Sequence, residues 1–347
     1  MNRPAWPHAA WALALSVCAA AQAPAALRLD PVPPEPLRFI AYGDMRFTNP
    51  AETEHTNPGA RQALVRQIAA ESPAAVLLTG DVPWHGGDPG DYAQYALETA
   101  AWRAGNLAVF PALGNHEFKD CEESDCLEMW WKAFPQVQRQ RWYAVELSPR
   151  LRALALDTDA PLGRASAQRV WLEGQLHALP ASVDFLLLFM HHPPSGDLQQ
   201  EHLDHNPRPN ERSLAAYLRA VAPGLHARLI VVAGHIHNYE RREEGGIVYL
   251  ISGGGGAHPV PVVRSARDRY HGPGFPNYHY VRFTLAGPVL RGEMMRLEDY
   301  AVPEPQEWRL QDRFEVQARP TRAAARAAAP AAGAAAADPR ADPPPGR

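Results

Sequence analysis

Over residues 37–240 short continuous apolar runs alternate with longer stretches of helical periodicity. The runs LRFIAYG (37–43), AAVLLTG (74–80), NLAVFPALG (106–114), LRALALD (151–157), VDFLLLFM (183–190) and RLIVVAG (228–234) read as buried strands. Helical patterns lie between them at about 60–70, 91–103, 166–178 and 211–221. Strands buried on both faces and separated by helices predict an α/β architecture with covered sheets. Beyond residue 240 the pattern changes to strands alone: GIVYLIS (246–252), YHYVRFTL (278–285) and VLRGEMMRL (289–297). No internal repeat interrupts the series.

The two ends depart from this pattern. Residues 1–21 carry Arg3, an apolar stretch from Trp11 to Ala20 and small residues after it, which reads as a secretory signal. The stretch is too short for a permanent span. Leu15-Ser16-Val17-Cys18 approximates a lipoprotein box, but Val17 stands where a small residue is wanted, so export without an anchor is the expectation. Residues 22–36 are a proline-rich linker, 37–316 one domain, and 317–347 an Ala/Pro/Arg-rich tail with no periodic face to bury. With 34 Lys+Arg against 38 Asp+Glu there is no basic surplus of the kind that marks nucleic-acid binders. In an exported chain Cys121 and Cys126 read as a disulfide, because a metal pair would want closer spacing and a second pair.

The candidate chemistry collects where the apolar runs end. Asp44 follows the first run, Asp81 the second, Asn115 and His116 the third, His191 the run ending at residue 190, and His235 and His237 the run ending at 234. Open α/β sheets build their sites just beyond the carboxyl ends of strands. In extended chain residues i and i+2 point the same way, so His235 and His237 can converge on one object. Carboxylates, an amide oxygen and imidazoles without a thiolate suit first-row metals such as Fe, Mn or Zn. The supply is too large for one structural ion. It suits two ions bridged by a carboxylate and a hydroxide, which stabilise attacking and leaving oxygens at phosphorus.

GDMR (43–46), GDVPW (80–84), GNHE (114–117), FMHH (189–192) and GHIH (234–237) together resemble the calcineurin-like metallophosphoesterase superfamily. GHIHNYER and MHHPP lean toward its purple acid phosphatase branch and bacterial relatives. The resemblance implies two packed mixed sheets flanked by helices, with two metals at the strand ends. It implies that Asp81 bridges the ions, that Asn115, His191 and His235 complete one site, and that Asp44 and His237 bind the other ion. His116 would contact phosphate and assist the leaving oxygen. The implied activity is metal-dependent hydrolysis of a small-molecule phosphate ester. A monoester is favoured, with a phosphodiesterase or a non-catalytic binding protein on the same scaffold as alternatives.

The Asp44 site departs from the family. Arg46 stands where many members have a histidine ligand, and Trp84 where the purple branch has a tyrosine. Neither guanidinium nor indole offers a lone pair to a metal. The site is therefore expected to hold its ion loosely, to recruit water, or to borrow another group; His55 and His85 are candidates, each expected first as an ordinary polar loop residue. Arg46 has two readings, a structural cation or a clamp on phosphate. His192 is expected to point away from its neighbour His191, as a supporting or substrate-loop residue. SGGGGAH (252–258) reads as a flexible turn near the site, and His258, His271 and His279 as candidates for a substrate rim.

Overall fold

The computed structural model of the chain describes residues 26–272, 277–299, 301 and 306–320. The residues read as a signal, and the tail beyond 320, lie outside the described residues. The strands are β1 (Leu27–Arg28), β2 (Leu37–Tyr42), β3 (Ala75–Leu78), β4 (Ala108–Pro111), β5 (Tyr143–Ser148), β6 (Leu151–Ala155), β7 (Phe185–Met190), β8 (Arg228–Ala233), β9 (Tyr239–Glu244), β10 (Ile247–Ser252), β11 (His279–Ala286), β12 (Val289–Leu297) and β13 (Trp308–Gln317). They form two mixed sheets, in the orders β1-β5-β6-β7-β8-β10-β9 and β13-β12-β11-β2-β3-β4.

Helices α1 (Pro58–Glu71), α2 (Pro89–Glu98), α3 (Ala100–Ala104), α4 (Glu123–Ala133), α5 (Ala167–His177) and α6 (Pro209–Val221) cover the outer faces. Local chemistry sets their starts. Asn57 caps α1 by accepting from Ala60 N, and Asp88 caps α2 by accepting from Gly90 N; proline is pre-set at the first helical position of both. The pattern at 91–103 predicts one helix, but the chain breaks at Thr99, whose hydroxyl donates to the Tyr95 carbonyl. A hydroxyl that competes for a helix carbonyl favours such an interruption.

Leu186 and Leu188 of β7 pack outward with Leu172 and Leu176 of α5 and Leu214 and Leu218 of α6. Phe39 of β2 stacks on Phe283 of β11 in the other sheet, with ring centroids 4.9 Å apart. In the larger sheet β6, β7, β8 and β10 run parallel, as do β2, β3 and β4 in the smaller. The site residues sit beyond the ends of these parallel strands.

Several elements escaped the periodicity. β9 reads YERREE and pairs with β10 by its backbone while its side chains form ion pairs. The stretch read as a linker contributes β1, which pairs in parallel with β5, and Gln317, read as the first tail residue, ends β13. Cys121 and Cys126 form a disulfide. Among the described residues no helix is long and apolar enough to cross a membrane.

Candidate metal centre

Asp44, Arg46, Asp81 and His235 leave their strands with φ of 64, 50, 54 and 71°. Non-glycine residues take this left-handed conformation at a cost and keep it only where the surroundings over-determine it. Here the exits are laced together: Asp44 N donates to the Gly80 carbonyl at 3.1 Å, and Arg46 N to that of Asp81 at 3.0 Å. Gly80 has φ 89°, and a Cβ there would stand 2.7 Å from His191 Nδ1. Only glycine lets β3 turn this close beneath the histidine.

The site histidines are oriented by backbone carbonyls, which can only accept. His191 Nδ1–H donates to Thr79 O at 2.9 Å, His116 Nδ1–H to Trp84 O at 2.7 Å, and His237 Nδ1–H to His258 O at 2.9 Å. Each Nε2 is thereby turned inward as a lone pair. His235 is held the other way round, with Nε2–H donating to Asp204 O at 3.0 Å and Nδ1 left as its lone pair. Support of this kind fixes tautomer and ring direction for ligation.

Lone pairs then meet lone pairs. His191 Nε2 lies 3.0 Å from Asn115 Oδ1 and 3.1 Å from Asp81 Oδ1. His237 Nε2 lies 3.5 Å from Asp44 Oδ1, and His116 Nε2 lies 3.7 Å from Asp81 Oδ2. Facing acceptors need a cation between them, and this donor set fits a pair of first-row ions. Asp44 and Asp81 are fully buried. Burial, with Asp81 adding to it, pushes the Asp44 carboxyl up to about 7 although His191 and Arg46 oppose the shift. Burial would also raise Asp81, but His191, His116 and Arg46 hold it well below the usual carboxylate range. Burial lowers His116 to about 4 and His235 to about 3, and takes His237 well below the usual histidine range. His191 goes the other way, since Asp81, Asp44 and Glu117 outweigh the desolvation that would lower it.

The predicted ligands Asp44, Asp81, Asn115, His191, His235 and His237 converge, with His116 and Arg46 beside Asp81. His55 bonds Glu52 and stacks on Trp84 at 4.6 Å, while His85 pairs with Asp91 and Asp120, the contacts of polar loop residues. Other expectations are corrected. His192 does not point away. β7 ends at Met190, strand alternation ends with it, and the His192 ring lies 4.2 Å from that of His235. His279 is buried against Tyr239 rather than on a rim. The glycines at 253–256 are tightly packed: a Cβ on Gly253 would stand 2.1 Å from Ile236 O, and one on Gly255 2.3 Å from Gly43 O.

Two contributors were missed. Glu117 accepts from Asp81 N, Val82 N and Gly114 N, tying the bridging aspartate to the Asn115 turn. Its place in GNHE marked it, but only the fold shows what it holds. His205, buried, brings its ring within 5.5 Å of His235 and 6.1 Å of His237. Its position in an aperiodic loop gave no signal.

Comparison with known proteins matches this geometry. The purple acid phosphatase of yellow lupin (Lupinus luteus) seeds aligns with a TM-score of 0.64 at 16% identity, over 82% of this chain and 54% of that one. The chain therefore spans about half the length of that enzyme. A dimetal phosphatase from Danio rerio aligns with a TM-score of 0.55 at 14% identity, over 82% of this chain and 99% of that one. GAP50, the anchor in the inner membrane complex of Plasmodium, aligns with a TM-score of 0.61 at 13% identity, over 82% and 89%. These likenesses establish the fold. No curated protein matches the chain in sequence. The model of the calcineurin-like phosphoesterase family matches residues 37–239, more than half of the chain, and with the metal-ligand geometry at its strand ends the chain belongs to that family, hydrolases of phosphoric esters with a dinuclear metal site.

Proposed function

We propose that the protein is an exported phosphomonoesterase of small-molecule substrates. The observation that carries the catalytic part is the single cluster in which six metal-ligand candidates meet two cation-capable groups. His116 Nε2 and Arg46 Nη2 lie 3.7 Å and 3.5 Å from the same Asp81 oxygen, Oδ2. Asp44, Asp81, Asn115, His191, His235 and His237 would hold the two ions, whose chemistry there would be Lewis acidity and a nucleophile at neutral pH. Arg46 offers a planar donor fork to the non-bridging phosphate oxygens. His116, held to about 4 by burial, would take a proton from solvent onto Nε2 once the ester's negative charge sits beside it, and would give that proton to the leaving oxygen. Export is supported by the signal-like residues 1–21 and the Cys121–Cys126 disulfide, a bond of oxidising compartments.

The test is hydrolysis of an aryl phosphate monoester and a bis-aryl diester by protein loaded with Mn, Fe or Zn. The monoester should turn over faster in at least one metal form; faster diester turnover would make the protein a phosphodiesterase. A binding role without catalysis is the second reading, favoured by the incomplete ligand set of the Asp44 half. Absence of turnover under metal saturation would select it.

A further inference from the structure

The rim beside Arg46 carries a second cation that phosphate hydrolysis does not by itself require. Lys119 follows the Asn115–Phe118 turn, and its Nζ lies 3.4 Å from the centroid of the Trp84 indole. The guanidinium carbon of Arg46 lies 4.8 Å from the same centroid, and the His116 ring stacks on that indole at 4.5 Å. Trp84 is only 9% exposed, so its use is to seat cations against an electron-rich face. The residue that cannot serve as a ligand is a platform for charge.

The backbone under Lys119 is pinned on both sides. Gly86 N donates to His116 O at 2.8 Å and Gly87 N to Lys119 O at 2.9 Å. A Cβ on Gly86 would stand 1.8 Å from Glu117 O, so the two segments approach this closely only through glycine. Two residues beyond Lys119, Cys121 is tied to Cys126.

Two of the acids that act on Lys119, Asp91 and Asp120, also face His85. His85 Nδ1 lies 3.3 Å from Asp91 and its Nε2 3.6 Å from Asp120. Among the described residues no carboxylate pairs with the Lys119 ammonium. Arg46 Nε is buried with no hydrogen-bond partner. Burial holds the Lys119 ammonium below the usual lysine range, with Arg46 adding to the shift and Asp120, Asp81 and Asp91 opposing it. Arg46 spends one nitrogen on Asp81 and keeps others free, and Lys119 has no ion-pair partner among the described residues, so the two cations retain donors for a further negative charge.

We propose that Lys119, seated beside Arg46 on Trp84, receives a second anionic group of the substrate, so that preferred esters carry a further phosphate on the leaving alcohol. This rests on the phosphoesterase reading of the neighbouring centre. The ester's own phosphate meets Arg46 and His116, and the second meets Lys119.

The experiment compares a hexose 1,6-bisphosphate with the hexose 6-phosphate on the metal-loaded full chain, by kinetics and by titration calorimetry. The bisphosphate should be favoured about tenfold in kcat/KM, mainly through KM, as one charge-assisted phosphate contact provides. Lys119→Met should remove that preference, and Lys119→Arg should keep it. Equal values for the two sugars in the wild type, or a Lys119→Met effect that is the same on both, would overturn the subsite. If no ester is hydrolysed, the phosphoesterase reading fails. Calorimetry then decides the subsite separately: equal binding of the two sugars would overturn it, and Lys119-dependent preference for the bisphosphate would uphold it.

Discussion

The two halves of the proposed metal centre, which would share Asp81, are built differently. On one side Asn115, His191 and His235 present three further donors, and the two imidazoles are locked by the carbonyls of Thr79 and Asp204. On the other side the family ligands are reduced to Asp44 and His237. The places of the missing ligands hold Arg46, 3.5 Å from Asp81 Oδ2, and Trp84. One half is complete in neutral donors, while the other has exchanged a neutral donor for a permanent positive charge. A cation beside a metal site weakens the ion by repulsion, yet the same charge attracts a phosphate. We propose that Arg46 thereby moves affinity from metal to substrate within an unchanged fold.

The largest effect is expected where the halves join. Asp81→Asn removes the charge that serves both ions, and kcat should fall at least about 10³-fold. Metal analysis should show loss from both halves; near-normal turnover would remove Asp81 from its bridging role. His116→Ala should lower kcat by about 10²–10⁴-fold while both ions are retained, because this residue faces the ester and not the metals. Loss of metal in that variant would instead make His116 a ligand.

The asymmetry itself is tested by chelation. Mild chelator should remove the ion of the Asp44 half first, leaving about one ion per chain and little activity, and excess metal should restore both. Equal retention of two ions would erase the distinction between the halves. Arg46→His should tighten the labile ion by roughly tenfold, since it replaces a repelling charge with a lone pair. The same variant should raise KM for phosphate esters, and titration of the metal-depleted protein separates the two effects.

The smallest expected effect concerns the scaffold that serves both halves alike. Asp204 and His258, whose carbonyls orient His235 and His237, lie on two loops joined through Asp197, Gln199 and Arg242. Glu240 lies in this network and accepts from Asp197 N at 2.8 Å. Burial pushes its carboxyl up to about 7, although the bond from Asp197 N and the charge of Arg242 oppose the shift. A carboxyl raised above its unfolded value near 4.5 contributes stability at acid pH and loses it as pH rises through about 7. Relative to Glu240→Gln, the wild type should therefore lose about 2–4 °C in Tm between pH 4.5 and 8. A flat difference across that range would show that Glu240 ionises freely.

Much of the site was legible because strand exits are local. An apolar run that ends in glycine and then Asp, Asn-His or His-x-His announces both a buried strand and a polar group at its end. Asp44, Asp81, Asn115, His235 and His237 could be placed on that basis, and His191 at the end of an apolar run without glycine; covered sheets followed from the periodicity, and that they are two followed from the family resemblance. β9 escaped because charged side chains that pair with one another at a sheet edge leave no alternation to read. His192 was misplaced because strand alternation was carried one residue past the end of the strand.

What the amino-acid sequence by itself determined, then, is the candidate donor set, the order in which strand ends deliver it, and the presence of Arg46 and Trp84 at positions where the resemblance implies a ligand. Only the tertiary structure decided which lone pairs face inward, since that depends on the carbonyls of Thr79, Trp84, Asp204 and His258. Every residue has a carbonyl, so none is distinctive in a sequence until the chain brings it to a particular ring. The same holds for Lys119 and Trp84, separated by 35 positions but joined as cation and platform. Their meeting depends on two glycines that let backbone segments touch, a contact made in space and carried by no periodicity along the chain.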